Sequence, residues 1–550
     1  VQDWLQVCDQ AHTRCQLKAN ATFPARLIEI TDWNAGILRL AKGDACGGKY
    51  TTLSYRWGDT ASSNYVTNKS NVDARHGSIL LNSLPRTIRD AIHITHLLGL
   101  QFIWIDAVCI IQDSHEDWST EGARMDQIYT HSYLTISADT SPDTEAGFLE
   151  KRDMLGWSTC IHPTLLMPWD RATPDWHYGT GAGSTLEESN LTGIAVPQGP
   201  RAICSGVAPA KKLTNTSILG DRGWILQERV LSRRTLHWSV SEISWECNEL
   251  IASERLPAGD GDNFQSWGWS ERDEYEPPWD QFRKVLYPEV HQASLLGTAP
   301  VKPVMKSEDW HELVREFSRR QLTFISDRLP AISGLSNAFG KAAGRSDTSY
   351  YYGLWKETLP YDLCWHRSVT INAKTGPKCR SGNDVTTTNE LPSFSWANCL
   401  APVDFVSPFY LDEAVEGIEV LDIHNPSNGL PSITLRGIAF DAAILKQQRP
   451  INPYGTFKEG LKDAVIFDVP GYSLNSPRYS EIICLCFGIV KRIDGVDVKI
   501  ESQGLLGLLL EPAGDGAIDD GLRYRRVGLY DGLMPNMDIS KIVRRTISII

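Results

Sequence analysis

Asp106 stands inside the run FIWIDAVCII, residues 102–111, where the other nine of ten residues are apolar; Cys109 follows three places on and Gln112 six. An unpaired carboxylate in an apolar setting costs several kcal/mol, so Asp106 either satisfies a neighbour or is held for chemistry. Three further stretches carry reactive side chains. LSYRWG contains Ser54, Tyr55, Arg56 and Trp57, TISAD contains Ser137 and Asp139, and GWILQERVLSRR contains Trp224, Gln227, Glu228, Arg233 and Arg234. Asp106 and Glu228 are candidate acids or bases and Cys109 a candidate nucleophile. Arg56 and Arg233 carry the forked donors that suit a phosphate, while Tyr55, Trp57, Gln112, Trp224 and Gln227 are candidate substrate contacts.

Structural readings stand beside these. Glu228 and Arg233 are five apart on one helix and close enough to pair as ions. Asp106 finds structural partners in Tyr55, Arg86, Arg89 or backbone amides. Cys109 reads as a packed thiol, and Trp57, Trp104, Trp224 and Trp245 as core aromatics.

Near the start, Cys8, His12 and Cys15 form C-x3-H-x2-C, three zinc-ligand types on about two helical turns. A structural zinc site needs a fourth ligand, and Cys46, in the loop before TTLSY, is the candidate. The alternative is packed thiols with a capping histidine. A Cys8–Cys15 disulfide is excluded if both lie on one helix, because seven residues of helical rise separate them by about 10 Å.

These residues need elements to position them. SLPRTIRDAIHITHLLGL predicts a helix, opened by Pro85 and closed by Gly99, with Ile88, Ala91, Ile92, Thr95 and Leu98 on its apolar side. QFIWIDAVCII predicts a strand buried on both faces, EDWSTEGARMDQIYTHS a second helix, and YTTLSYRWG and YLTISAD further core strands. The strands at about 50–56, 102–111 and 133–138 should therefore be parallel neighbours, with helix 84–98 crossing between the first two. In such a sheet ligands collect outside the carboxyl ends of the strands, where the motifs above converge. ARLIEI and GILRLA read as a hairpin, and WLQVCDQAHTRC as a short amphipathic helix. Helical patterns occupy 256–385, and strands dominate from about 390.

A chain of 550 residues exceeds one compact core. The net charge of -13 argues against a general nucleic-acid binder, and no apolar run approaches a membrane span. VQDWLQVCDQ shows neither the basic nor the apolar region of a signal peptide. Twelve cysteines are too few for a disulfide scaffold; the compartment expected is the reducing cytoplasm. Eighteen tryptophans predict large aromatic cores or a π-rich cleft.

YTTLSYRWG, LPRTIRDAIHITHLLGLQFIWIDAVCIIQD, ARMDQIYTHSYLTISA and RGWILQERVLSRR…WEC resemble, in order and spacing, the blocks of the fungal heterokaryon incompatibility (HET) domain. With no nucleotide-binding or repeat domain attached to these blocks, the sequence looks like a stand-alone member. The resemblance implies a role in fungal self/non-self recognition and cell death. It also implies a fold similar to Toll/interleukin-1 receptor (TIR) domains, which include enzymes that cleave NAD at its nicotinamide glycosidic bond. The W-x3-E of Trp224 and Glu228 is similar to the TIR helix that carries the catalytic glutamate, which makes Glu228 the counterpart.

The fold class expected is α/β: a TIR-like (flavodoxin-like) parallel sheet with helices, a helical segment and a β-rich C-terminal region. Its divisions are 1–48 (helix and hairpin), 49–255 (HET domain, with an insertion at about 140–215), 256–385 (helical) and 386–550 (β-rich). Three functions stay open: cleavage of NAD or a related nucleotide, a metabolic enzyme acting on another small molecule in the same cleft, and a non-catalytic module that self-associates or binds a protein partner. The cofactor candidates are a structural zinc at the N-terminal trio and NAD as a substrate.

Overall fold

The three core stretches meet in one sheet. The structure, a computed structural model, describes residues 1–17, 22–58, 65–149, 218–239, 242–254, 257–259, 280–287, 306–368, 391–406, 418–425, 431–447, 465–468, 481–494, 500–513, 523–533, 542 and 544–550. Most of the insertion expected at 140–215 lies outside them. Along the chain the first strands are β1 (Arg26–Asp32), β2 (Ile37–Lys42), β3 (Thr51–Ser54), β4 (Ile79–Leu80), β5 (Phe102–Trp104), β6 (Leu134–Ser137), β7 (Arg234–Trp238), β8 (Ile243–Cys247) and β9 (Ile251–Ser253). They form one sheet in the order β4-β2-β1-β5-β3-β6-β7-β8-β9.

Its centre is parallel: β3 pairs with β5 and β6, and β6 with β7. Both flanks are antiparallel, the β1–β2 hairpin on one side and β8–β9 on the other. Every residue of β3 and β6 is buried, as parallel strands covered on both faces require. The helix Arg86–Leu97 crosses from β3 towards β5, capped by Pro85 and released at Gly99 with φ 74°. It buries Ile88, Ala91, Ile92 and Thr95.

Three elements depart from expectation. The strand expected over 102–111 stops at Trp104, and Asp106–Cys109 form a helical turn. An apolar run buried on all sides fits either state. The turn closes because the amides of Val108 and Cys109 both donate to the carbonyl of Ile105, at 3.0 and 2.7 Å. The helix expected over EDWSTEGARMDQIYTHS is two, His115–Gly122 and Met125–His131, broken just after Gly122. The N-terminal helix ends at Ala11; His12 is extended (φ -90°, ψ 100°), and Thr13–Cys15 form a short 3-10 turn.

Helices Ser307–Ser318 and Pro330–Ala343 share one apolar core with the sheet. Trp104, Trp245, Trp310, Trp365 and Trp396 are all fully buried and build core, whereas Trp118 is exposed. The C-terminal region is β-rich. Strands Ser432–Asp441, Ile483–Asp494, Ile500–Pro512, Arg523–Leu533 and Arg544–Ile549 pair successively, and the last returns to the first, closing a barrel. Closure pairs most of these strands on both sides, although Arg544–Ile549 meets Arg523–Leu533 only through Ser548 and Ile549. Among the described residues no helix is long and apolar enough to cross a membrane.

Candidate functional site

At the carboxyl end of β3, Ser54 donates its hydroxyl to Glu228 Oε2 at 2.5 Å. Glu228 lies on the inner face of the helix Gly223–Leu231, between Gln227 and the buried Leu231, and is 7% exposed. Burial pushes its carboxyl up to about 7 and the nearby negative charge of Asp106 adds to the rise; hydrogen bonds from Ser54 and Tyr129 and the charge of Arg222 pull it back. Near neutrality Glu228 therefore populates both its protonated form, a proton donor, and its carboxylate.

Asp106 opens the helical turn beside it. Its carboxylate accepts from the Trp57 indole at 2.9 Å and from the Ala107 amide at 2.7 Å. Burial raises its pKa, against these donors, Tyr55 and Arg222. The Tyr55 hydroxyl is buried close to this carboxylate without reaching ordinary hydrogen-bond geometry. Gln112 donates to the carbonyls of Asp106 and Ile110, at 3.0 and 3.2 Å. Arg222 donates to the Tyr55 carbonyl at 3.4 Å, and its charge favours both carboxylates. Tyr55, Trp57, Asp106, Gln112 and Glu228 therefore lie around the end of β3, but none of them lines the cleft beside it. Arg56 follows Tyr55, half-buried, with no hydrogen bond or ion pair among the described residues.

Four expected residues point elsewhere. Arg233 neither pairs with Glu228 nor faces the site: it donates to the carbonyls of Thr130 and Gln16, at 3.1 and 2.7 Å, and stacks over Tyr287 at 4.4 Å. The helix ends at Leu231, so the five-residue spacing no longer measures a helical face. Cys109 is fully buried and burial pushes its thiol up to about 12, which suits packing and not nucleophilic attack. Trp224 donates to Asp327 at 3.3 Å, towards the helical segment. Gln227 reaches Met125 Sδ at 3.8 Å.

A small cleft opens beside Ser54 and runs over the ends of β6 and β7, lined by Ser137, Asp139, Arg229, His237 and Arg320. Its cavity volume is about 20 Å³, far below the usual 300–1,000 Å³ for ligand sites, so a nucleotide enters only if the walls move apart. A polar network floors it. His237 Nδ1 faces Asp139 at 3.0 Å and Nε2 faces Glu246 at 3.1 Å; Glu246 also pairs with Arg229 at 2.8 Å and Arg283 at 2.6 Å. Ser137 donates to Asp139 at 2.8 Å. Burial opposes a charge on His237, but Asp139 and Glu246 raise its pKa above the ordinary value. Burial likewise opposes the charge on Glu246, and Arg229, His237 and Arg283 hold it well below the carboxylate range. Sequence reasoning missed His237, Glu246, Arg229 and Arg283. The available signal was polar residues at alternate places in the apolar pair RTLHW and ISWEC, which put Thr235, His237 and Glu246 on one face.

Elsewhere, the donor atoms of Cys8, His12, Cys15 and Cys247 all lie within 4.8 Å of one another. Cys46 is not the fourth member: it is buried in the short turn Gly43–Cys46. Cys247, at the end of β8, takes the place assigned to it.

The model of the family described as Heterokaryon incompatibility protein (HET) matches residues 50–228. No curated protein and no solved structure matches the chain.

Proposed function

We infer that this chain, which carries a heterokaryon incompatibility (HET) domain over residues 50–228, acts in heterokaryon incompatibility as an enzyme on NAD or a related nucleotide, with Glu228 as its working acid. The observation that carries this reading is the placement of Ser54, whose hydroxyl binds Glu228 while the same residue lines the cleft. A short movement at Ser54 would put the Glu228 carboxyl at the cleft wall. Ionised there, it would stabilise an oxocarbenium-like ribose and hold its 2'-hydroxyl, as carboxylates do in glycosidases. Arg229, His237 and Arg320 line the cleft and could draw the phosphate of the same ligand, in competition with the carboxylates of Glu246, Asp139 and Glu316 that already hold them. The likeness to TIR domains is an analogy of fold and motif. It is supported by the parallel centre of the sheet and by the W-x3-E helix lying against it. We place this activity in the cytoplasm.

Nicotinamide release from NAD by the purified protein, wild type beside Glu228→Gln, tests the reading. Glu228→Gln keeps the shape and removes the ionisable carboxyl, so release should fall at least a hundredfold. Release that survives the substitution clears Glu228. A correctly folded wild type that releases nothing, also after concentration into oligomers, removes NAD as substrate.

One observation favours a non-catalytic module instead. Glu228 is buried and held by Ser54 and Tyr129, as a structural acid would be. Under that reading Glu228→Gln changes stability while self-association, followed by light scattering, is unaltered.

A further inference from the structure

We propose that Cys8, His12, Cys15 and Cys247 bind one zinc ion in a closed tetrahedral site that clamps the N-terminal segment to the antiparallel flank of the sheet. Four donors from one buried neighbourhood carry the proposal. The sulfurs belong to Cys8 and Cys15, both fully buried, and Cys247, 5% exposed. His12 presents Nδ1 to Cys247 Sγ at 3.3 Å, and all four donor atoms lie within 4.8 Å of one another. Ligand bonds of about 2.0–2.3 Å in tetrahedral array require donors about 3.5–3.8 Å apart, so modest contraction around an ion completes the geometry. Three sulfurs and one nitrogen select zinc among divalent ions. The donors are too close together to surround an iron–sulfur cluster.

The local backbone is shaped for convergence. A continuous helix would hold Cys8 and Cys15 about 10 Å apart. The break at His12 and the 3-10 turn that follows bring Cys15 back beside Cys8. On the other side, the Leu250 amide donates to Cys247 Sγ at 3.2 Å, and the Cys247 amide donates to the Leu250 carbonyl at 2.9 Å. Both sides are locked independently of any metal: Arg14 donates to the Asn248 carbonyl at 2.6 Å, and Asn248 to the Arg14 carbonyl at 2.9 Å.

The surrounding charge fits as well. Three thiolates, a neutral imidazole and a divalent ion leave one negative charge. Arg234, 2% exposed, donates to Cys8 Sγ at 3.1 Å and sets a positive charge beside the site, shared with Asp9 at 2.7 Å. Such outer partners orient and tune metal ligands. With all four positions filled by protein there is no open site for water, so the role is structural. The ion would join residues 8 and 247, close the loop that contains the whole HET domain, and add its binding free energy to folding.

Metal analysis of the purified full chain tests this directly, with no chelator used in purification. Stoichiometric zinc is expected in the wild type and in Cys46→Ser, with at least a tenfold loss in Cys247→Ser. Should Cys247→Ser fail to fold, cobalt exchanged into the wild type gives the second reading: an intense thiolate-to-cobalt charge-transfer band with tetrahedral d–d bands. A wild type free of metal, or one holding iron, overturns the proposal. So does a disulfide among the three cysteines found by mass spectrometry without reduction, or zinc that survives Cys247→Ser and leaves with Cys46→Ser.

Discussion

The 2.5 Å hydrogen bond from Ser54 to Glu228 Oε2 ties the end of β3 to the helix that delivers β7. It also sets how the molecule responds to pH. The Glu228 carboxyl is raised from 4.5 to about 7 in the folded state, so folding favours its protonated form. Between about pH 4.5 and 7 the folded state binds more protons than the unfolded one, and stability falls as pH rises. Below that window both states are protonated and the effect vanishes. Glu228→Gln should therefore match the wild type near pH 4 and exceed it above pH 7, by up to about 3 kcal/mol at 1.36 kcal/mol per unit. Urea unfolding of both proteins across pH 4–8 measures it; parallel curves would mean that Glu228 is ionised in the fold.

Trp57→Phe removes the indole N–H that donates to Asp106 at 2.9 Å and keeps only the six-membered part of the ring's packing. Hydrogen bonds to charged groups contribute about 1.5–3 kcal/mol, so a loss near the lower figure is expected because Trp57 is half-buried. The loss should shrink at low pH, where a neutral Asp106 needs the donor less. Denaturant midpoints at pH 5 and pH 8 decide it.

Two ion pairs should behave oppositely. Glu246 is buried against Arg229, Arg283 and His237, so Glu246→Gln leaves buried cations uncompensated and should cost about 3–5 kcal/mol. Arg39 pairs with Glu29 from a half-exposed position, and Arg39→Ala should cost no more than about 1 kcal/mol. Thermal or denaturant unfolding separates the two outcomes clearly.

These contrasts track what a sequence can reveal. The three parallel strands and the helix after Pro85 were legible because burial on both faces and the 3.6-residue period are local signals. Asp106 was legible as special, but its run could not reveal that the strand stops at Trp104, since strand and buried helical turn share that composition. Cys8, His12 and Cys15 announce themselves by spacing, whereas Cys247 lies more than two hundred residues away and only the fold brings it there. His237 and Glu246 have ordinary sequence surroundings, and their meaning arises from register between β7 and β8 and from Arg283 on a distant helix. Arg233 misled because a spacing of five was read on a helix that ends at Leu231.

A close approach between helices helps to hold Glu228 in place. Helix Pro330–Ala343 meets the helix Gly223–Leu231 at Gly334, where an added Cβ would stand 2.6 Å from Gln227 Oε1 and 3.1 Å from the Asp126 Cβ. The Gln227 amide can swing aside, but Asp126 sits on the helix Met125–His131 and its backbone cannot. Gly334→Ala should therefore be nearly neutral, the strain offset by up to about 1 kcal/mol of helix propensity. Gly334→Leu must push the helices apart, at about 1–3 kcal/mol. Because Glu228 follows Gln227 directly, the displaced helix should lengthen the Ser54–Glu228 hydrogen bond and lower the Glu228 pKa towards 4.5 as solvent enters. A Gly334→Leu protein would then lose the pH-dependent difference from Glu228→Gln, measured by adding Glu228→Gln to it and repeating the urea series. A difference that persists unchanged would show that the helix contact at Gly334 does not position Glu228.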